Sequence, residues 1–430
     1  MAIGAVISLF TGAMGLDLGF ERAGFEIRVA VECNKWAART IRKNRPNTAV
    51  IERNIEDVST EEILEAAKLK VGECLVVTGG PSCQGFSTAG RRGSLSDPRG
   101  TLFHHFLRVI NEARPRFFVM ENVQGILSAA IRHRPLKERG PGHPPLRPEE
   151  ELGAAFRTML QAFENTGYYV IFGLLNAADY GTPQTRRRVL FLGSRDGEPI
   201  KMPVPTHDCE GAQGMPKWVT LREALSGLVN PEPEYKPLSP VQMKFLKQIP
   251  PGGNWRDLPE SLQEDALGGA FHSWGGRNGF SRRLSWDKPA PALTTSPNGK
   301  ATMLCHMESL RPLSIKECAR IQQFPDNWEF EGGLTQRYIQ IGNAVPVGLG
   351  QATALALVDT MQPGAKKLPE MLGKACCANA DLAERLARRP RTILNPLHMR
   401  PGDSKEATRE WLCSISRHRI ESLPIAPAPS

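Results

Sequence analysis

The first 195 residues repeat one pattern: a short apolar run, a glycine-rich or polar turn, then a stretch with apolar residues three or four apart. The apolar runs lie at 5–10, 27–31, 74–78, 116–120, 168–175 and 189–193. They are rich in Val, Ile, Phe and Leu, which predicts strands buried on both faces. The stretches between them predict helices. In 150–165, Leu152, Phe156, Met159, Leu160 and Phe163 share one face, and Gly167 follows the end. In 101–113, Leu102, Phe106, Leu107 and Ile110 are the apolar set, and Pro115 follows. Strands alternating with helices predict a Rossmann-like α/β fold with a doubly wound, mostly parallel sheet.

Two segments interrupt the rhythm. Residues 128–150 are rich in Arg, Pro and Gly and suggest a surface insertion, either a solvated loop or a contact for phosphates. Residues 196–281 hold many Pro and Gly, with Trp218, Trp255 and Trp274 and scattered Lys and Arg. They suggest a second, smaller, irregular domain. The α/β character returns over 282–362. There Ser314 and Glu317 form a capping-box pattern before 318–324, and 346–361 suggests an apolar helix. Residues 363–430 form a basic extension with one predicted helix, 379–388, and no assignable chemistry. The expected division is therefore 1–195, 196–281, a return over 282–362, and the extension 363–430.

Composition narrows the class. Hydrophobic residues make up 40% of the 430 and charged residues 23%, as in soluble globular proteins. No apolar run approaches the ~20 residues that span a bilayer. The opening 15 residues lack a basic segment ahead of their apolar run, so they fit a buried strand better than a secretory signal. An intracellular protein is the expectation. Nine cysteines with no C-x-x-C argue for reduced thiols. His207 with Cys209, and Cys305 with His306, lack zinc-site spacing, so no metal is expected. The formal charge of +9 fits a polyanion partner, or solubility alone.

Chemistry concentrates at strand ends. After the first run comes Phe10-Thr-Gly-Ala-Met-Gly15, a turn that lets a ligand approach the backbone closely. The second run ends at Glu32, about where nucleotide-binding folds place an acid for ribose hydroxyls. This turn suits dinucleotide enzymes as well as methyltransferases, although the full G-x-G-x-x-G is absent. The third run enters Gly79-Gly-Pro-Ser-Cys-Gln-Gly-Phe-Ser87. Taken alone, Cys83 fits a small core residue as well as a nucleophile. One strand over, Glu121-Asn122-Val123 brings a carboxylate to the same edge, and Gln184-Thr-Arg-Arg-Arg188 brings cations.

In that order, the Cys83-Gln84 turn, Glu121-Asn122-Val123, Gln184-x-Arg186-x-Arg188 and the late Gly342-Asn-Ala-Val-Pro346 resemble the DNA cytosine-5 methyltransferase family. Residues 282–295 and 313–326 resemble its late motifs as well. The resemblance covers roughly 5–195 and 282–358. It implies S-adenosylmethionine as cofactor and double-stranded DNA as substrate, with residues 196–281 as a target-recognition domain. It also implies a cognate restriction endonuclease as partner, a monomer, and a cytoplasmic, nucleoid-associated location. Cys83 would be the nucleophile, with Gln84 beside it. Glu121, with Asn122 beside it in the catalytic set, would serve the base's N3 and exocyclic amine, and Arg188 with Arg186 would hold its O2. By position, the cofactor pocket would include Phe10, Gly12, Gly15, Leu16, Glu32, Cys33, Asn54, Ile55, Gly80, Leu102, Asn343 and Ala344. Residues 85–100 resemble a lid over a flipped base, with Ser87, Arg91 and Arg92 as DNA contacts.

Five positions depart from the family pattern: Ser8 for Asp, Met14 for Gly, Cys33 for a large side chain, Asn54 for an acid, and Ser82 for Pro. The first four bear on the cofactor and the last on how firmly Cys83 is presented. An RNA cytosine-5 methyltransferase and an inactive DNA-binding relative are the alternatives. The stretch 196–281, about the size of a small domain, favours DNA, and the complete catalytic set favours activity.

Overall fold

The computed structural model describes residues 2–81, 101–135, 138–272, 279–362, 364 and 366–392. Its centre is an eight-stranded sheet. The strands are β1 (Ala5–Leu9), β2 (Glu26–Val31), β3 (Ala49–Ile51), β4 (Val76–Gly79), β5 (Phe117–Val123), β6 (Tyr169–Asn176), β8 (Arg187–Ser194) and β10 (Ala375–Cys377), in the spatial order β10-β6-β8-β5-β4-β1-β2-β3. A separate two-stranded sheet pairs β7 (Gln184–Thr185) with β9 (Ala290–Pro291). All neighbours in the large sheet are parallel except around β8, which runs antiparallel to β5 and β6. The apolar runs explain the centre of this sheet: Val6, Ile7, Val76, Val77, Phe117 and Phe118 are completely buried.

Helices cover both faces. They are α1 (Gly15–Arg22), α2 (Lys35–Asn44), α3 (Thr60–Ala67), α4 (Thr101–Ala113), α5 (Ala154–Glu164), α6 (Leu221–Leu225), α7 (Pro240–Leu246), α8 (Glu260–Leu267), α9 (Ile315–Ile321), α10 (Leu334–Asn343), α11 (Val347–Thr360) and α12 (Ala380–Thr392). One buried cluster joins α1, α9, α10 and α11 to one face, and a second joins α3, α4 and α5 to the other. A third unites Leu238, Phe245, Trp255, Leu267, Met303 and Cys305 away from the sheet. Ile200 and Leu221 belong to the first of these.

Glycines let α1 and α11 touch. A Cβ on Gly19 would lie 2.3 Å from the Gln351 backbone nitrogen, and one on Gly350 would lie 2.7 Å from Leu16 O. The late helix thus packs on the first strand–helix unit. Together α10 and α11 span Leu334–Thr360, which by length and composition could cross a membrane. The helix is interrupted at residues 344–346, and two thirds of the most apolar window is buried, as in a core helix. The expectation that no apolar stretch reaches this length is therefore corrected.

Several expectations shift in detail. The Ser314 cap is present: Ser314 Oγ accepts from Glu317 N at 3.3 Å, and Glu317 Oε2 accepts from Ser314 N at 2.7 Å. The helix it opens, α9, begins at Ile315 and not at 318. Within the insertion 128–150 exposure concentrates over 138–148, and a largely buried ion pair between Arg134 and Glu150 pins it. The extension after 362 starts as part of the main fold. There β10 pairs with β6, and Asn379 Oδ1 accepts from Leu174 N at 2.7 Å. Three residues, Ala-Cys-Cys, carry no readable period, so this edge strand had no sequence signal.

Candidate active site

The inversion of β8 builds the site. Parallel strands β1, β4 and β5 all end at one edge of the sheet, and an antiparallel β8 starts there. Its register sets Arg188 opposite Val123 and Leu190 opposite Glu121. Side chains alternate along strands, so Glu121 and Arg188 lie diagonally on one face. Arg188 Nε meets Glu121 Oε1 at 2.5 Å, with the two side chains only 14% and 12% exposed. Arg188 also donates through Nη1 to Arg187 O at 2.8 Å.

The chain leading to residue 83 runs past this pair. A Cβ on Gly80 would sit 3.2 Å from Glu121 Oε2. The buried Asn122 points the other way. Its Nδ2 donates to Pro81 O at 3.4 Å, and its Oδ1 accepts from Val123 N at 2.8 Å. Asn122 therefore fastens the last described residue before 82–100 to the end of β5. Cys83, Gln84, Ser87, Arg91 and Arg92 lie outside the described residues, as do Ser82 and the rest of the loop 85–100.

Arg186 differs from expectation. It is buried, donating through Nη1 to Leu293 O at 2.8 Å and through Nη2 to Gly342 O at 2.7 Å. Burial, and then the charge of Arg188, hold its guanidinium well below the usual arginine range. Its terminal nitrogens are turned to backbone carbonyls, so it anchors the late segments to the chain entering β8 and does not face the Glu121–Arg188 pair as a second cation.

The residues expected to hold the cofactor come from both faces of the sheet. Phe10, Gly12 and Met14 all have positive φ, at 54°, 58° and 69°. Nothing lies within 4 Å of a Cβ built on Gly12, so the turn is open above its backbone. Met14 occupies a left-handed position with a fully buried side chain, which accounts for the usual glycine there. Glu32 is buried, and burial raises its carboxyl above the ordinary range. Its Oε2 accepts from Gly12 N and its Oε1 from Asn34 N, both at 2.7 Å. Each oxygen keeps a second lone pair for a ligand hydroxyl.

Around this acid, Ile55 is buried in the cluster on which Phe10 and Leu102 pack. Cys33 and Asn54 are exposed. On the other face, a Cβ on Gly15 would fall 2.3 Å from Val345 O and 2.9 Å from Ala344 Cβ. Leu16 and Ala344 share that cluster, and Asn343 is exposed at the end of α10. In the smaller lobe, Arg256 lies over the Trp255 ring at 4.6 Å, and Arg282 donates to Met303 O at 3.3 Å. Residues 273–278 lie outside the described set, with Trp274, Arg277 and Asn278.

Sequence reasoning missed two buried glutamines behind the arginines. Gln184 Nε2 donates to Gln322 Oε1 at 2.9 Å, and both side chains are completely buried. The first was seen only as part of a basic motif and the second as part of a helix. An amide in an otherwise apolar helix end was the available signal.

A family model described as C-5 cytosine-specific DNA methylase matches residues 4–359. The chain belongs to this family. It is a DNA cytosine-5 methyltransferase, with S-adenosylmethionine as its cofactor. Among curated relatives, the type II methyltransferase M.Sau96I of Staphylococcus aureus is 37% identical over 82% of this chain and 75% of its own length. M.Eco47II of Escherichia coli is 35% identical over 82% of this chain and 78% of its own. A solved structure described as a candidate DNA modification methyltransferase encoded within an E. coli prophage superposes with a TM-score of 0.56. It has 25% identity and covers 83% of this chain and 99% of that one. The methyltransferase EhMeth of Entamoeba histolytica, 17% identical with a TM-score of 0.56 over 84% of this chain and all of its own, shares the fold. The open backbone above Gly12, the Glu32 carboxylate and the exposed Asn343 suit a cofactor with ribose hydroxyls and a polar tail.

Proposed function

We propose that the enzyme methylates C5 of a cytosine flipped out of duplex DNA, with Cys83 as nucleophile. Cytosine C5 is a poor nucleophile until a thiolate adds at C6. The Cys83 sulfur forms a bond to C6, and the C5–C6 double-bond electrons become available at C5. Glu121 would donate a proton toward N3 and accept from the exocyclic amine. Arg188 holds the base's O2 and the charge that gathers on the ring. Asn122 fixes Pro81 and so sets where the loop carrying Cys83 departs. Gly12, Gly15, Glu32, Ile55, Leu102 and Asn343 would hold S-adenosylmethionine, whose sulfonium would give its methyl group to C5 and leave as S-adenosylhomocysteine. A base then removes the C5 proton, the C6–S bond breaks, and the thiolate leaves.

The observation that carries this reading is the Glu121–Arg188 pair, set at the sheet edge beside Gly80. The smaller cluster around Trp255 and Phe245, drawn mostly from the expected target-recognition region 196–281 and completed by Met303 and Cys305, would supply a body for a lobe that reads base edges. The curated relatives are type II methyltransferases, which favours DNA over RNA. It also favours a restriction-modification setting in the cytoplasm, with an endonuclease that shares the recognition site. Tritiated cofactor offered with duplex DNA and with tRNA, to wild type and Cys83→Ala, tests the reading. Label should enter DNA only, and only with the wild-type protein. Label in tRNA, or label with Cys83→Ala, would overturn it.

A further inference from the structure

We infer that Gln322 is a positioning residue that sets the cofactor side and the base side of the site in one register. The inference rests on the functional reading above, in which Asn343 serves the cofactor and Arg188 the base. Gln322 caps the C-terminal end of α9 with its side chain completely buried. Its Nε2 donates to Ile341 O at 2.6 Å and to Ala344 O at 3.1 Å, and its Oε1 accepts from Gln184 Nε2 at 2.9 Å. Gln184 Oε1 in turn accepts from Leu293 N at 2.8 Å. Arg186 closes the circuit through Leu293 O and Gly342 O.

The orientation of both amides follows from their partners. Two backbone carbonyls face one end of Gln322, so that end must be the NH2 group. Leu293 N faces one end of Gln184, so that end must be the oxygen. Both amides and the two terminal nitrogens of Arg186 then meet acceptors, while Arg186 Nε has none among the described residues. The turn 341–344 is gripped at three carbonyls, and the one side chain it leaves exposed is Asn343. The other end of the circuit is the segment 184–186, two residues from Arg188. The turn also packs tightly on the segment after Leu293, since a Cβ on Gly342 would lie 2.6 Å from Thr294 C and Thr295 N. One amide thus joins the cofactor turn to β7, the short strand that leads into the strand carrying the base-holding arginine, without touching either ligand.

The adjacent Gln323 is the natural control. Its Oε1 accepts from Thr182 Oγ1 at 2.9 Å and Gly348 N at 2.8 Å, and its Nε2 donates to Gly181 O at 3.1 Å. It joins the same two regions of chain but grips neither the 341–344 turn nor Arg186.

The test uses Gln322→Glu, Gln322→Leu and Gln323→Glu, with two readouts taken as ratios to wild type across pH. One is the dissociation constant of S-adenosylmethionine by calorimetry. The other is the single-turnover methylation rate on DNA. A neutral glutamic acid at 322 still donates one hydrogen bond to the carbonyls, and a carboxylate repels them. The neutral fraction falls tenfold per pH unit above the carboxyl's pKa. Between about pH 6 and 9, Gln322→Glu should therefore lose roughly tenfold or more in both readouts. Gln322→Leu should be impaired at every pH, and Gln323→Glu should show no such limb. A flat Gln322→Glu profile would overturn the inference. So would a deficit confined to one readout, or one that tracks a falling melting temperature, or the same limb in Gln323→Glu. A wild-type protein that binds no S-adenosylmethionine would instead remove the functional reading, and the inference with it.

Discussion

Glu121 and Arg188 are diagonal neighbours across β5 and β8, and Oε1 of one lies 2.5 Å from Nε of the other. The antiparallel turn of β8 is what makes this possible, since a parallel strand would deliver its start to the opposite edge. The pair gives the site an acid whose position is fixed by a cation before any substrate arrives. Glu121→Gln keeps the shape and removes the ionisable group. Single-turnover methylation should fall by about 10²-fold or more, as for loss of a general acid. Binding of duplex DNA should change little. A rate within a few fold of wild type would remove Glu121 from the chemistry.

Gly80 approaches Glu121 so closely that a methyl group at 80 must displace it. The distance of 3.2 Å from that Cβ to Oε2 leaves room only if the carboxylate moves. Gly80→Ala should lower the methylation rate by about tenfold, the scale on which small misplacements of reacting groups act. Its melting temperature should stay near wild type, because the carboxylate end is partly exposed. Equal losses of rate and stability would point to a fold defect instead.

The contact between α1 and α11 is closer still. At Gly19 an added Cβ would meet backbone at 2.3 Å, and backbone cannot step aside cheaply. Gly19→Ala should destabilise the protein by about 1–3 kcal/mol, as overpacking does. It should also weaken cofactor binding, since Ala344 and Val345 enter the site on the same late segment. Thermal melts and calorimetry on this one variant check both effects.

Much of this was legible in the sequence, and the reasons differ by element. The strands β1, β5 and β6 announced themselves because both faces are largely buried and most of their residues are apolar. The Glu121 and Arg188 positions were legible because strand ends bring polar residues to one edge. The role of Arg186 was not, since sequence cannot say whether a guanidinium faces a ligand or the carbonyls of Leu293 and Gly342. The strand β10 was hidden because three residues carry no period. Gln184 and Gln322 are 138 positions apart, and their contact exists only after α9 packs beneath the sheet edge.

Asp17 gives the fold a pH dependence of its own. It lies buried in the first turn of α1. Thr78 Oγ1 donates to its Oδ1 at 3.4 Å, while Oδ2 has no partner among the described residues. Burial pushes its carboxyl up to about 7, Glu21 adds to the rise, and hydrogen bonds with Ser8 and Thr78 oppose it only in part. An unfolded aspartate titrates near ~3.9. Between that value and 7 the folded state holds a proton that the unfolded state has lost. Stability from this group is therefore full at acid pH and falls as pH rises toward 7, by at most roughly 4 kcal/mol. Asp17→Asn should be more stable than wild type at about pH 8, with the difference shrinking toward about pH 5. Denaturant melts at both values decide it, and a constant difference would contradict a buried titrating Asp17.

The central claim is that Cys83 bonds to the base. Duplex DNA carrying 5-fluorocytosine at the methylated position blocks loss of the C5 substituent and should trap the adduct. After reaction with S-adenosylmethionine, intact-mass and peptide mapping should show wild-type protein joined to the oligonucleotide through Cys83, and none joined for Cys83→Ala. The absence of a wild-type adduct at saturating cofactor, or an adduct through any other residue, would contradict the account.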